Sequence, residues 1–124
     1  LASILIDTCV FVDCLRGRQP ALAFLEQVQG ELLVSGVTIA ELAAGARHQS
    51  DRALVDDVTA GCRIVDLDAV TARLGGAFKQ RFRPSHGTDL LDALIAATAE
   101  RERARLATVN RTHFPMLDDL LVPY

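Results

Sequence analysis

The sequence predicts an α/β fold with a mainly parallel central sheet of four to five strands flanked by helices. Three observations carry that expectation. Short apolar runs alternate along the whole chain with longer stretches of helical periodicity, the signature of strand–helix–strand units. Gly30, Gly61 and Gly87 stand at the joins, where elements must end and turns begin. Half of the 124 residues are hydrophobic, enough to bury a core without staples. No repeat, low-complexity tract or linker interrupts the chain, so one domain spanning residues 1–124 is expected.

In chain order, Ser3 to Ile6 reads as a buried strand, and its apolar run stops at Asp7. Helical patterns follow over Thr8 to Arg16 and over Pro20 to Gln29, where proline suits a first turn. Leu32 to Ser35 is the second strand, followed by helices over Val37 to His48 and Asp51 to Ala60. Arg63 to Val65 is a short third strand, and Ala69 to Phe82 a fifth helix. Asp89 to Arg103 is a helix on which Leu91, Leu94, Ile95 and Thr98 share one face. Asp92 lies at the edge of that face, about 60° from Ile95, with Asp89 a further ~60° toward solvent. Arg105 to Thr108 completes four strands, and Leu120 to Val122 is a candidate fifth.

Composition narrows the function classes. A formal net charge of -3 lacks the basic signature of a general nucleic-acid binder, although a local patch suffices for one. No apolar stretch approaches a membrane span and no signal-peptide layout is present, so a cytoplasmic protein with no membrane partner is expected. The chain opens on Leu1 and not Met, which suggests a trimmed or altered start. Cys9, Cys14 and Cys62 form no CxxC pair and read as small reduced hydrophobes, not as a zinc site.

In open α/β sheets, sites gather beyond the carboxyl ends of the strands. Asp7 and Asn110 follow strands there, and Glu41 falls shortly after another, in the first turn of its helix. Each has an ordinary explanation. Asp7 can cap the helix that starts at Thr8. Thr38 and Glu41 in "TIAE" have capping-box spacing, which taken alone favours a cap. Asp92 is harder to explain this way, because Asp89 is better placed to face the helix dipole. Brought together, Asp7, Glu41 and Asp92 would repel one another unless a proton, an arginine or a cation joined them. Hard oxygen ligands select Mg²⁺ or Mn²⁺, and such ions suit phosphate chemistry.

At this point the sequence resembles a known family. "ILIDTCVFVDCLRG", "VSGVTIAELAAG", "DALIAATA" and "LATVNRTHF", in that order, are similar to the motifs of PIN-domain ribonucleases, in particular the VapC-like toxins of bacterial toxin–antitoxin pairs. The resemblance implies a single PIN-like domain. Its dependable acids fall on Asp7, Glu41 and Asp92, and its small hydroxyl residue on Thr8. Family members often carry a further acid where Asn110 or His113 stands. Neither is acidic here, which leaves one or two metals open; Asn110 can offer a carbonyl oxygen, and His113 reads as a surface histidine or a proton carrier.

The resemblance implies an Mg²⁺- or Mn²⁺-dependent endoribonuclease that cleaves a structured RNA such as tRNA or rRNA to leave a 3′-hydroxyl. Asp7 and Asp92 would hold the metal, with Glu41 binding it or aligning its water. It further implies a homodimer, for which the first two helices are candidate interfaces, and inhibition by a cognate VapB-like antitoxin. Phosphate contacts are expected among Arg16, Arg18, Arg47, Arg111 and the "KQRFR" run of Lys79, Arg81 and Arg83, a run that reads equally as a solvated helix end. The alternative function is a catalytically weak PIN module that binds RNA or protein. A phosphoacceptor domain built on Asp7 would need a lysine in a matching motif, and Lys79, the one lysine, lies in none.

Overall fold

Strand β1 (Ser3–Ile6) lies at the centre of the sheet, flanked on one side by β2 (Glu31–Ser35) and on the other by β4 (Arg105–Ala107). The computed structural model describes residues 2–124. With β3 (Arg63–Val65) beyond β2, the order is β3-β2-β1-β4, and every pairing is parallel. Leu5 sits opposite Leu33 on one side and Leu106 on the other. The order reverses between β1 and β4, the switch point where crossover helices diverge and leave a crevice.

Alternate residues of β1 feed two separate cores, as a two-residue period requires. Ile4 and Ile6 pack with Val10, Phe11, Val34, Leu42 and Val55. This layer is built by α1 (Thr8–Leu15), α2 (Gln19–Gln27) and α4 (Gln49–Thr59), with the far end of α3 (Gly36–Gly45). Leu5 faces the other way, onto Leu33, Leu106, Phe114 and the residues Ile95, Ala96 and Ala99 of α6 (Leu90–Glu102). Each large side chain fully buried in this way is worth about 1.5–3 kcal/mol. Helix α5 (Ala69–His86) packs mainly on α6. There Gly75 lets the helices close: an added Cβ would lie 2.6 Å from Leu94 Cδ2 and 3.2 Å from Leu94 Cα.

The six predicted helices and four principal strands are present, with differences at their ends. Leu120 to Val122 does not form a strand. Leu121 makes a single parallel bridge to Ala107, accepting from the Thr108 N–H and donating to the Leu106 carbonyl. Helix α5 runs beyond Phe82 through Pro84, and Gly87, at φ 60°, closes it by donating to the Arg83 carbonyl. The inner face of α6 also differs from expectation. Its buried stripe is Ala93, Ile95, Ala96, Ala97, Thr98 and Ala99, while Leu91 is exposed. Small side chains fill the side on which α6 is clasped closely, and Leu91 is left on the free flank.

Candidate active site

Asp7 leaves β1 as a buried carboxylate, and three donors fix it. The Thr8 N–H donates to Oδ1 at 2.8 Å, which makes Asp7 the N-cap of α1. Thr108 Oγ1 and Cys9 Sγ donate to Oδ2 at 2.7 and 3.2 Å. The capping reading of Asp7 therefore holds, and it holds together with a place in the cleft. Thr108 in turn accepts the Asn110 N–H at 3.0 Å, tying the loop after β4 to the residue after β1. Thr108 is not among the residues the sequence points to; its one signal there is a hydroxyl at the exit of a strand adjacent to β1.

The capping-box reading of Glu41 does not hold. Ser35 caps α3, its Oγ accepting from the Val37 N–H at 3.0 Å, so Glu41 sits in the second turn and not the first. The glutamate is free to turn inward. Thr8 Oγ1 donates to Glu41 Oε1 at 2.8 Å and lies 2.9 Å from Thr38 Oγ1. Because the single Thr8 proton is spent on Glu41, Thr38 must be the donor in that second contact. The small hydroxyl after the first acid is thus a link between Asp7, which accepts its N–H, and Glu41, which accepts its O–H.

Asp92 enters from the first turn of α6. Burial, and then the negative charge of Asp7, push its carboxyl from the ordinary 3.8 up to about 6, with Asp89 and Glu41 adding to the repulsion and His113 opposing it. His113 Nδ1 lies 3.2 Å from Asp92 Oδ2, and its side chain is half exposed. The histidine is therefore a partner of the third acid, not an isolated surface group. Asp89 is the N-cap of α6 by position but makes no side-chain capping bond.

Asp7, Glu41, Asp92, Asn110 and His113 line one cleft of about 480 Å³ at the carboxyl edge of the sheet. Arg16, Arg18 and Asp13 complete its rim. Lys79, Arg81, Arg83, Arg47 and Arg111 do not line it. Lys79 instead donates to the Thr88 carbonyl at 3.2 Å, and the Arg81 guanidinium sits 5.2 Å from the Phe82 ring. Cys9, though beside Asp7, is no nucleophile: burial and the neighbouring carboxylate push its thiol up to about 12. Beside the cleft, and sharing Arg16 and Glu41 with it, runs a second groove of about 310 Å³ lined by Val12, Leu15, Leu42, Leu54 and Val55.

This architecture is a parallel α/β sheet with an acidic cleft at its switch point. A family model described as "PIN domain" matches residues 4–119. Ribonuclease VapC19 of Mycobacterium tuberculosis is 40% identical over 124 residues, covering 97% of this chain and 98% of that protein. Ribonuclease VapC10 of the same organism is 39% identical, covering 98% and 92%. Among solved structures, a toxin–antitoxin complex from Klebsiella pneumoniae matches with a TM-score of 0.82 at 26% identity over 98% of both chains. VapBC2 from Rickettsia felis, bound to a promoter DNA fragment, shares the fold with a TM-score of 0.81 at 21% identity over 96% of both chains. The chain belongs to the PIN-domain family.

Proposed function

We propose that the chain is a metal-dependent endoribonuclease of the toxin type, cutting structured cellular RNA such as tRNA or rRNA and neutralised by a VapB-like antitoxin. The observation that carries the reading is the convergence of Asp7, Glu41 and Asp92 in one cleft, with Asp92 held well above its ordinary value by burial and the other acids. No lysine or arginine pairs with any of the three among the described residues. A net negative, oxygen-only cluster calls for a hard cation.

The residues fit such an ion in one form. Among the described residues, no three His, Cys, Asp or Glu side chains are grouped so that they could hold a metal ion between them. An open site of one or two carboxylates, completed by water and substrate phosphate, is the usual arrangement for Mg²⁺. Asp7 and Asp92 would hold the cation and Glu41, kept in place by Thr8, would align water beside it. When bound, the ion would neutralise the cluster, activate water and stabilise the oxygen leaving the phosphodiester. Asn110 can accept a hydrogen bond at the same edge, and His113 sits where it can carry a proton to or from Asp92.

The antitoxin reading is supported by the apolar groove beside the cleft, whose wall includes Arg16 and Glu41. A partner segment seated there would run directly into the acidic cleft. For a homodimer, α1 offers little surface, because its Val10, Phe11 and Cys14 are spent in the core, whereas Leu22, Phe24 and Leu25 of α2 are only half-buried. Exposed Leu67, Leu90 and Leu91 are better placed.

The test is cleavage of total tRNA by the purified chain in Mg²⁺, in Mn²⁺ and in chelator, beside Asp7→Asn. Discrete fragments that need both metal and Asp7 are expected. Equal cleavage by Asp7→Asn would sink the mechanism. RNA held but left intact in every condition would favour the second reading, a binding module, which the absence of acid at Asn110 and His113 supports.

A further inference from the structure

Asp13 is buried in the last turn of the apolar helix α1, where a charge is costly unless it is paired. It makes no hydrogen bond to Asp7, Glu41 or Asp92. Both of its carboxylate oxygens are engaged elsewhere: Oδ2 accepts the Tyr124 hydroxyl at 2.5 Å, and Oδ1 accepts from Arg18 Nη1 at 3.4 Å. Burial of its hydroxyl and the bond to Asp13 raise the Tyr124 phenol above its ordinary value, so it remains a donor. The backbone repeats the contact. Gly17, at φ 74°, turns the chain after α1 so that the Arg18 N–H donates to the Asp13 carbonyl at 3.0 Å.

Stability is a poor reason for this arrangement. The Arg18 side chain is 61% exposed, and a pair with one partner so open is worth little. What the contact does is set a position. Arg18 lines the same cleft as Asp7, Glu41 and Asp92, and three carboxylates would draw an untethered guanidinium into the place of a cation. Asp13, itself fixed by Tyr124, has one nitrogen of that guanidinium 3.4 Å from its Oδ1, at the rim of the cleft. Only one nitrogen of Arg18 is spent on Asp13, so the remaining N–H groups are open to fork onto a phosphate.

We infer that Asp13 and Tyr124 are positioning residues that hold Arg18 at the mouth of the acidic cleft as a phosphate contact for the RNA strand. The inference rests on the ribonuclease reading and deepens it. RNA backbone entering the cleft would meet Arg18 on its way to the three acids.

The experiment measures binding of fluorescein-labelled bulk tRNA to the full chain by anisotropy, in Ca²⁺, across a series of salt concentrations. Arg18→Gln should weaken binding roughly fivefold to tenfold and lower the slope of log K against log[salt] by about 0.7–0.9, the loss of one phosphate contact. Arg18→Lys should recover the slope but only part of the affinity, since charge returns without the fork. Asp13→Asn and Tyr124→Phe should weaken binding in the same direction. Combined with Arg18→Gln, neither should add anything further, because both act through Arg18. Arg18→Gln with unchanged affinity and slope overturns the contact. Additive losses overturn the positioning role and leave Asp13 a structural residue. Tyr124→Phe carries the test alone if Asp13→Asn does not fold. Wild-type chain that neither binds nor cuts RNA removes the ribonuclease reading, and this inference with it; wild type that binds while Arg18→Gln matches it removes only the inference.

Discussion

Replacing Asp92 by Asn should stabilise the metal-free chain while removing its activity. The ionised carboxylate is disfavoured by burial and by Asp7, which carry it from 3.8 to about 6. At about 1.36 kcal/mol per pH unit, that is a cost of about 3 kcal/mol to the charged form. The side chain is 24% exposed in an open cleft, so solvent screening reduces the expected gain to about 1–2 kcal/mol. The sign follows from proton counting. Between pH 3.8 and about 6 the folded chain binds more protons at Asp92 than the unfolded chain, so stability falls as pH rises through that window. Asparagine does not titrate. Its advantage should be near zero at pH 4, grow through pH 5 and be complete by pH 7. Urea unfolding of wild type and Asp92→Asn in chelator at pH 4, 5 and 7 measures this directly. An advantage that is absent at pH 7, or equal at pH 4 and pH 7, would refute the argument that burial and the neighbouring charges disfavour ionised Asp92. Mn²⁺ should then raise the stability of wild type more than that of Asp92→Asn, since only the intact cluster favours the ion in the folded state.

Thr8→Val keeps the shape of the side chain but deletes the donor to Glu41 Oε1 and leaves Thr38 without its acceptor. Cleavage should fall about 10- to 100-fold, as when an outer hydrogen bond that orients a group at a metal site is lost, with circular dichroism unchanged. Activity within twofold of wild type would show that Glu41 does not depend on Thr8. Gly75→Ala would place a Cβ 2.6 Å from Leu94 Cδ2 and 3.2 Å from its Cα, where backbone must shift. The overpacking should outweigh the helix-propensity gain and cost about 1–2 kcal/mol in thermal or denaturant unfolding. A rise in Tm would show that α5 and α6 can move apart freely.

The elements were legible in the sequence because each has its own periodicity and punctuation. The residues closing the site were less legible, since their roles depend on which helix ends meet. "TIAE" illustrates the limit. Its capping-box spacing is real, but Ser35 begins α3 three residues earlier, so Glu41 turns into the cleft. Thr108 and Asp13 were equally hidden, because their partners lie 101 and 111 residues away in sequence. On α6 the largest apolar residues were expected inside, whereas close packing selected alanine there and left Leu91 outside. In a helix clasped against a sheet and a second helix, the available volume decides which face is buried, and hydrophobicity alone does not report volume.

The same fold explains how a cation-free chain tolerates three neighbouring acids. Asp7 is the N-cap of α1, Asp92 lies in the first turn of α6, and Glu41 follows one turn into α3. Three helices therefore begin at one edge of the sheet, and the amino termini of α1 and α6 each contribute about 0.3–1 kcal/mol in favour of the negative charge at Asp7 and Asp92, whereas Glu41 lies beyond the first turn of α3. Thr8, Cys9, Thr38 and Thr108 add local donors without adding charge. These contributions do not offset burial and the neighbouring negative charges, because Asp92 still stands well above its ordinary value. That imbalance would favour a cation in the cleft. Once the acids are neutralised, the same helix termini, with Arg18 at the rim, face an incoming phosphate with favourable charge. The parallel order of β1, β2 and β4 thus brings the acids to one edge of the sheet together with the amino termini of the helices that follow.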